Sequence, residues 1–439
     1  MGIPMASARF FQTLTMFIIM IILAQMGHQV LAASLVISFL RASVILIFIS
    51  PLFSLGSIIG RQVGARNVTM LPAIVQQVGI LALCLAVPAT AVLFCIEPIL
   101  RFFHQPAYLV HIVGQYYHFA AFQLPVVLLG TVCIQFLAGI KKQHILMITA
   151  AFSTITATFF TLGFGLGFFG FPKIGVQGVG LGVLISSSIY CCNIAFFALK
   201  HLRTFGPIFR FYCRGMQWFK LVLRFGMPIS AQIASEMLSL RFLIFMIGWL
   251  GPVALAGSQV SSQYILFAIM PIVGLSEAAA VRVGHAYGEK NWIQVRRLGF
   301  AGALMAIVFT GLIGLIFAIF HRPLAGVFIH FGAPHAQHIY TLTLWLLLIR
   351  IVSMFFGGVT NMLCGALRGI YDTKFPMGVS LISNWLLMLP LAGLFGFGLH
   401  LGAIGTVVGS SAARISSAFV LLGRWRWQMR QLSIASNPA

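Results

Sequence analysis

Phe225-Gly226-Met227-Pro228 opens a stretch that carries Glu236 in an apolar run, passes through Leu250-Gly251-Pro252 and Leu255-Ala256-Gly257-Ser258, and closes as Gly284-His285-Ala286-Tyr287-Gly288-Glu289-Lys290-Asn291. Moved back by 224 positions without a gap, it falls on the start of the chain. Gly226 lands on Gly2, Pro228 on Pro4, Gly251 on Gly27, Leu255 on Leu31, Ala256 on Ala32, Ser258 on Ser34, Gly284 on Gly60, Gly288 on Gly64 and Asn291 on Asn67. Glycine, proline and asparagine mark backbone turns, so their coincidence indicates a duplicated structure. The acids are not shared: Glu236 falls on Gln12 and Glu277 on Phe53.

The echo continues to the end of each copy. Leu137-Ala138-Gly139-Ile140 parallels Leu367-Arg368-Gly369-Ile370 at a spacing of 230, and Gly175-Val176-Gln177-Gly178 parallels Gly402-Ala403-Ile404-Gly405 at a spacing of 227. Composition sets the environment. At 60% hydrophobic and 7% charged residues, the chain is too apolar for a water-soluble surface of this size. The net charge of +22 arises because acids are scarce, five against 27 Lys and Arg, and the bases lie in the gaps between apolar runs. This distribution speaks against a nucleic-acid partner and for a membrane. Seven cysteines, mostly within apolar runs, show neither a disulfide framework nor metal-ligand spacing.

A bilayer core requires roughly 20 apolar residues per helix. Twelve runs meet this, at roughly 5–26, 31–59, 70–97, 109–139, 145–170, 176–199, 221–249, 253–281, 298–320, 338–366, 376–398 and 402–423. The expected fold is an all-α polytopic membrane protein with twelve transmembrane helices in two parallel six-helix repeats, which would enclose a central cavity. The expected organisation is an amino-terminal lobe over 1–200, a connector over 201–220, a carboxy-terminal lobe over 221–423 and a tail over 424–439. Bases crowd the even-numbered connections, from Arg61 and Arg66 to Arg368 and Lys374, while the odd-numbered ones hold Arg101, Lys173 and Arg322. Both termini are therefore expected in the cytoplasm, and the chain in the inner membrane. The connector from His201 to Arg224 mixes bases with Phe205, Phe209, Phe211, Tyr212, Trp218 and Phe219, and reads as an amphipathic element on the anionic inner leaflet.

The prolines early in helices one and seven, the Gly-x-x-x-Leu-Ala pattern after each, the Val281 to Glu289 segment and Gly365-Ala366-Leu367-Arg368-Gly369-Ile370-Tyr371-Asp372-Thr373-Lys374 resemble the multidrug and toxic compound extrusion (MATE) transporters, in particular bacterial NorM-like members. The resemblance runs from Pro4 to about Ser417. It implies alternating access and export of amphipathic, mostly cationic compounds in exchange for H+ or Na+, with no resident cofactor. It also implies that Glu236, eight residues after Pro228, belongs to the cation-coupling site. Members of the family often carry an Asp in helix one and another in helix ten. Here the corresponding places are Ile18 to Met20 and Phe355 to Gly358, without an acid.

Physical chemistry singles out Glu236 independently. An ionised side chain at mid-bilayer costs about 2.5 to 3.5 kcal/mol on insertion scales, so it persists only beside a cavity or a partner. Gln232, Glu236 and Ser239 share one helical face. Burial favours a neutral carboxylic acid and a bound cation favours a carboxylate, so proton and cation compete there. The alternative is a structural ion pair with Arg41, Arg241 or Arg350, with Arg241 poorly placed around the helix. Gln232, Ser239, Gln12 and those three arginines are candidate cavity-lining residues. Arg414 reads as a base that snorkels or packs at a helix end, and Glu277 as one half of a surface or interfacial pair with Arg282.

The expected function is secondary antiport of a small amphipathic molecule by a monomer in contact with lipid. Export of a lipid-linked or anionic substrate is the alternative, because the expected cavity holds more Arg than acid. A membrane-embedded lipid-modifying transferase would need paired carboxylates or a nucleophile and base, which five scattered acids do not supply, so the chain is not read as an enzyme.

Overall fold

The structure is a computed structural model that describes residues 2–26, 28–102, 104–207, 215–327 and 336–436. Gly27 and residues 208–214 of the connector, with Phe209, Phe211 and Tyr212, lie outside the described residues. Among those described, every regular element is helical. This follows from apolar sequence in lipid: the backbone must satisfy its own hydrogen bonds, which a helix does within one segment.

Among the described residues, eleven helical stretches are long and apolar enough to cross a membrane: Gly2–Leu23, Val36–Gly64, Val68–Phe94, Gln143–Leu166, Val176–Leu202, Gln217–Trp249, Pro252–Gly288, Trp292–Ile319, Gln337–Gly369, Lys374–Gly398 and Gly402–Leu432. The twelfth is broken, Ala107–Ala120 followed by Gln123–Gly139 with a bend of 50°. Pro125 explains the break. It has no N–H for the Ala121 carbonyl and its ring crowds that oxygen, so the helix restarts at Gln123. All twelve expected runs are thereby accounted for.

By its contacts the chain divides into two compact units, Ile3–Ser230 and Ala231–Ala439, with the division inside the helix Gln217–Trp249. Each unit repeats the other's turns. Left-handed backbone occurs at Arg66 (φ 60°) and Lys290 (φ 57°), at Lys141 and Tyr371 (φ 66° each), and at Gly175 (φ 73°) and Gly402 (φ 59°). The hydrogen bonds match too: Asn67 N donates to Gln62 O as Asn291 N does to Ala286 O, and Lys142 N to Leu137 O as Asp372 N does to Leu367 O.

The packing is duplicated at the same places. In the amino-terminal unit Gly139 lies against Ile59 and the carbonyl of Gly56; in the carboxy-terminal unit Gly369 lies against Val283 and the carbonyl of Ala280. Gly178 meets the carbonyl of Phe164 and Gly405 that of Phe395. A side chain at these glycines would collide with the facing helix, so the shared glycines of the sequence are sites of close helix approach. The last helix continues to Ser436 because Trp425, fully buried, packs on Gly299 within a cluster that includes Val283, Leu363, Leu367 and Leu421.

Candidate functional site

The helix Gln217–Trp249 brings Gln232, Glu236 and Ser239 to one face, as their spacing requires. Their surroundings differ. Gln232 is buried and held from the helix Ala336–Gly369: its Nε2 donates to Cys364 Sγ at 3.5 Å and its Oε1 accepts from Arg368 Nη2 at 3.4 Å. Ser239 is buried and donates to the Glu236 carbonyl at 3.1 Å, so its hydroxyl serves its own helix and not the carboxylate. The Glu236 side chain remains 33% exposed.

The partner of Glu236 is Arg414, whose Nη1 stands 3.6 Å from Oε1. This corrects the expectation of Arg41, Arg241 or Arg350, and the reading of Arg414 as a snorkelling base. Arg414 sits within the helix Gly402–Ser436, too far from its ends to reach water by extension, and turns inward to the one acid on the facing helix. A Cβ on Gly357 would lie 3.4 Å from Arg414 Nη1 and 3.9 Å from its Cδ. The place where the resemblance implies an Asp is thus covered by a guanidinium. Arg350 is close enough to Arg414 for the two charges to repel, and donates from Nη2 to Ser258 Oγ at 2.9 Å, while its Nε is buried without a hydrogen-bond partner. Arg241 is half-buried on the same helix as Glu236.

Two groups at this site carried no signal in the sequence reading. Ser235, beside Glu236, accepts a hydrogen bond from Trp385 Nε1 at 3.0 Å. Trp385 lies in the π-helical segment Ile382–Met388, whose wider turns set its ring apart from the regular helical spacing. A lone Trp in an apolar run gives no warning of this. Arg414 did carry one, since it interrupts an apolar run as Arg41, Arg241 and Arg350 do.

The other candidates lie in the amino-terminal unit. Gln12 accepts from Arg9 Nη1 at 3.0 Å and donates to Tyr190 Oη at 3.3 Å. Arg41 is 9% exposed, with its Nε buried and unpartnered; one turn earlier, the Ile37 carbonyl accepts from Tyr117 Oη at 2.8 Å. In the carboxy-terminal unit Glu277 is buried, 8% exposed, rather than lying on a surface. Of the remaining acids, Glu97 is 3.7 Å from Arg101, Glu289 is 3.1 Å from His285 and Asp372 is 2.8 Å from Arg424. Among the described residues no three His, Cys, Asp or Glu side chains form a metal-binding group.

The family model described as MatE matches residues 4–162 and 228–394. The chain belongs to the MatE family. The second matched segment contains Glu236, Arg350, Gly357 and Trp385, while Arg414 lies beyond it. Among MatE relatives, a probable multidrug resistance protein NorM of Rhizobium meliloti is 28% identical over 78% of this chain and 74% of its own length. Another, of Pseudomonas putida, is 27% identical over 86% and 82%. A solved structure described as the outward-facing conformation of a multidrug resistance MATE family transporter superposes with a TM-score of 0.90 at 21% identity, covering 98% of this chain and 95% of that one. A MOP superfamily transporter from Pyrococcus furiosus, described as having a binding pocket of reversed polarity, superposes with a TM-score of 0.89 at 20% identity over the same shares. Fold and family agree: this is a bacterial NorM-like MATE transporter, a multi-pass membrane protein and not an enzyme.

Proposed function

We propose that the chain is a secondary antiporter that exports amphipathic, mostly cationic compounds by alternating access, with Glu236 as the carboxylate through which an inward-moving ion is coupled. The observation that carries this reading is the state of Glu236. It is an acid within a membrane-crossing helix, a third of its side chain is exposed, and its partner stands at 3.6 Å, outside direct hydrogen-bonding distance. A carboxylate kept only for architecture would be closed off by its partners. This one remains open to an incoming group. The relatives' name, multidrug resistance protein, supports an amphipathic cargo. The bases in the even-numbered connections support placement in the inner membrane with both termini in the cytoplasm.

The test is uptake of ethidium by energised everted vesicles, comparing the native chain with Glu236→Gln under imposed H+ and Na+ gradients. The expected result is uptake by the native chain that is lost in Glu236→Gln. Equal uptake by both would reduce Glu236 to a structural residue, and uptake by neither would redirect the search to anionic and lipid cargo.

A further inference from the structure

A carboxyl group in a low-dielectric site stays ionised only with a positive charge beside it, and that charge can come from solution or from the chain. Here the chain supplies it. Arg414 Nη1 lies 3.6 Å from Glu236 Oε1, and the guanidinium rests beside Gly357, 3.4 Å from where a Cβ would stand. Arg350 adds a second positive charge close to Arg414 and is anchored to Ser258. One guanidinium thus already stands at the Glu236 carboxylate, with a second positive charge close to it, before any ion arrives.

We propose that Arg414 is the resident cation of the Glu236 site and excludes Na+ from it. This rests on the reading of Glu236 as the coupling carboxylate and specifies which ion that carboxylate refuses. A tethered group competes by effective concentration, which a free monovalent ion can match only by binding far more tightly. Na+ cannot do so here. It would have to displace the Arg414 guanidinium from Glu236 Oε1 and gather several oxygen ligands, while Ser235 Oγ, Ser258 Oγ and the Gln232 carbonyl oxygen each already accept a hydrogen bond, from Trp385, Arg350 and Arg368. It would also enter a site where Arg414 and Arg350 repel it.

The experiment is equilibrium binding of radioactive Na+ to the purified full chain in detergent, with K+ holding ionic strength constant. Five proteins are compared: native, Glu236→Gln, Arg414→Gln, Arg414→Lys and the double variant Arg414→Gln/Glu236→Gln. The expected results are no Glu236-dependent Na+ binding by the native chain, stoichiometric binding by Arg414→Gln, loss of that binding in the double variant, and continued exclusion by Arg414→Lys, which keeps the charge. Na+ binding by the native chain that disappears in Glu236→Gln would overturn the proposal, and this arm needs no Arg414 variant to fold. Absence of binding by a monodisperse Arg414→Gln would overturn it as well. Because binding is read without transport, a failure here is distinct from a failure of the ethidium assay.

Discussion

Arg424 Nε donates to Asp372 Oδ2 across 2.8 Å, and Gln428 donates to the same oxygen at 3.0 Å. The guanidinium also lies over the rings of Phe375 and Trp427, 4.6 and 4.5 Å from their centroids. The loop that follows the helix Ala336–Gly369 is thereby fastened to the last helix. Asp372→Asn keeps the shape and removes the charge, and is expected to cost about 1.5 to 3 kcal/mol, the range for a hydrogen bond to a charged group. Thermal unfolding in detergent should show a lower midpoint. Arg424→Lys should be nearly as damaging as Arg424→Ala, because an ammonium cannot meet the carboxylate and stack on two rings at once.

Gly365 and Gly311 give opposite expectations for the same change. A Cβ on Gly365 would strike the carbonyl and the hydroxyl of Ser276, whereas nothing lies within 4 Å of one on Gly311. Gly365→Ala should destabilise by about 1 to 3 kcal/mol through overpacking. Gly311→Ala should be neutral or stabilise by up to about 1 kcal/mol through helix propensity. Equal midpoints for the two variants would show that the approach at Gly365 is not required.

Trp385→Phe removes the donor to Ser235 and leaves an aromatic ring in place against Phe242. Ser235 can turn to a carbonyl of its own helix, so the stability cost is held to about 1 kcal/mol. Positioning next to Glu236 is what should suffer. The ethidium concentration for half-maximal uptake should rise more than the maximal rate falls. A drop in melting temperature with unchanged uptake would mean that the bond serves the fold alone.

Arg41 presents a different case, a buried guanidinium whose Nε has no partner. Breaking a well-made ion pair destabilises, whereas exchanging a buried charged side chain for an apolar one of similar volume is often neutral or stabilising. Arg41→Met, which keeps the length and apolar stem, is expected to leave the melting temperature unchanged or raise it. A decrease of several degrees would reveal a partner for the charge.

The twelve spans and the duplication were legible in the chain because each is a one-dimensional property. An apolar run of bilayer length must become a helix. A glycine where two helices press together cannot be replaced without a collision, and so Gly139 and Gly369, or Gly178 and Gly405, repeat in step. Glu236 was legible for a related reason, since an acid in such a run needs a compensating feature.

Its partner was not. Arg41, Arg241, Arg350 and Arg414 all interrupt apolar runs, and nothing in the order of residues ranks them. Selection depends on how each helix is rotated about its axis, and a helix that is apolar all round shows no face from which to read that rotation. Only packing could turn Arg414 toward Glu236, lay its guanidinium beside Gly357, and bring Trp385 to Ser235 from a segment whose wide turns depart from regular helical spacing. The sequence by itself determined which segments cross the membrane and which acid lies within one; the tertiary structure decided which charge meets it, because pairing across helices is set by rotation and close approach rather than by spacing along the chain.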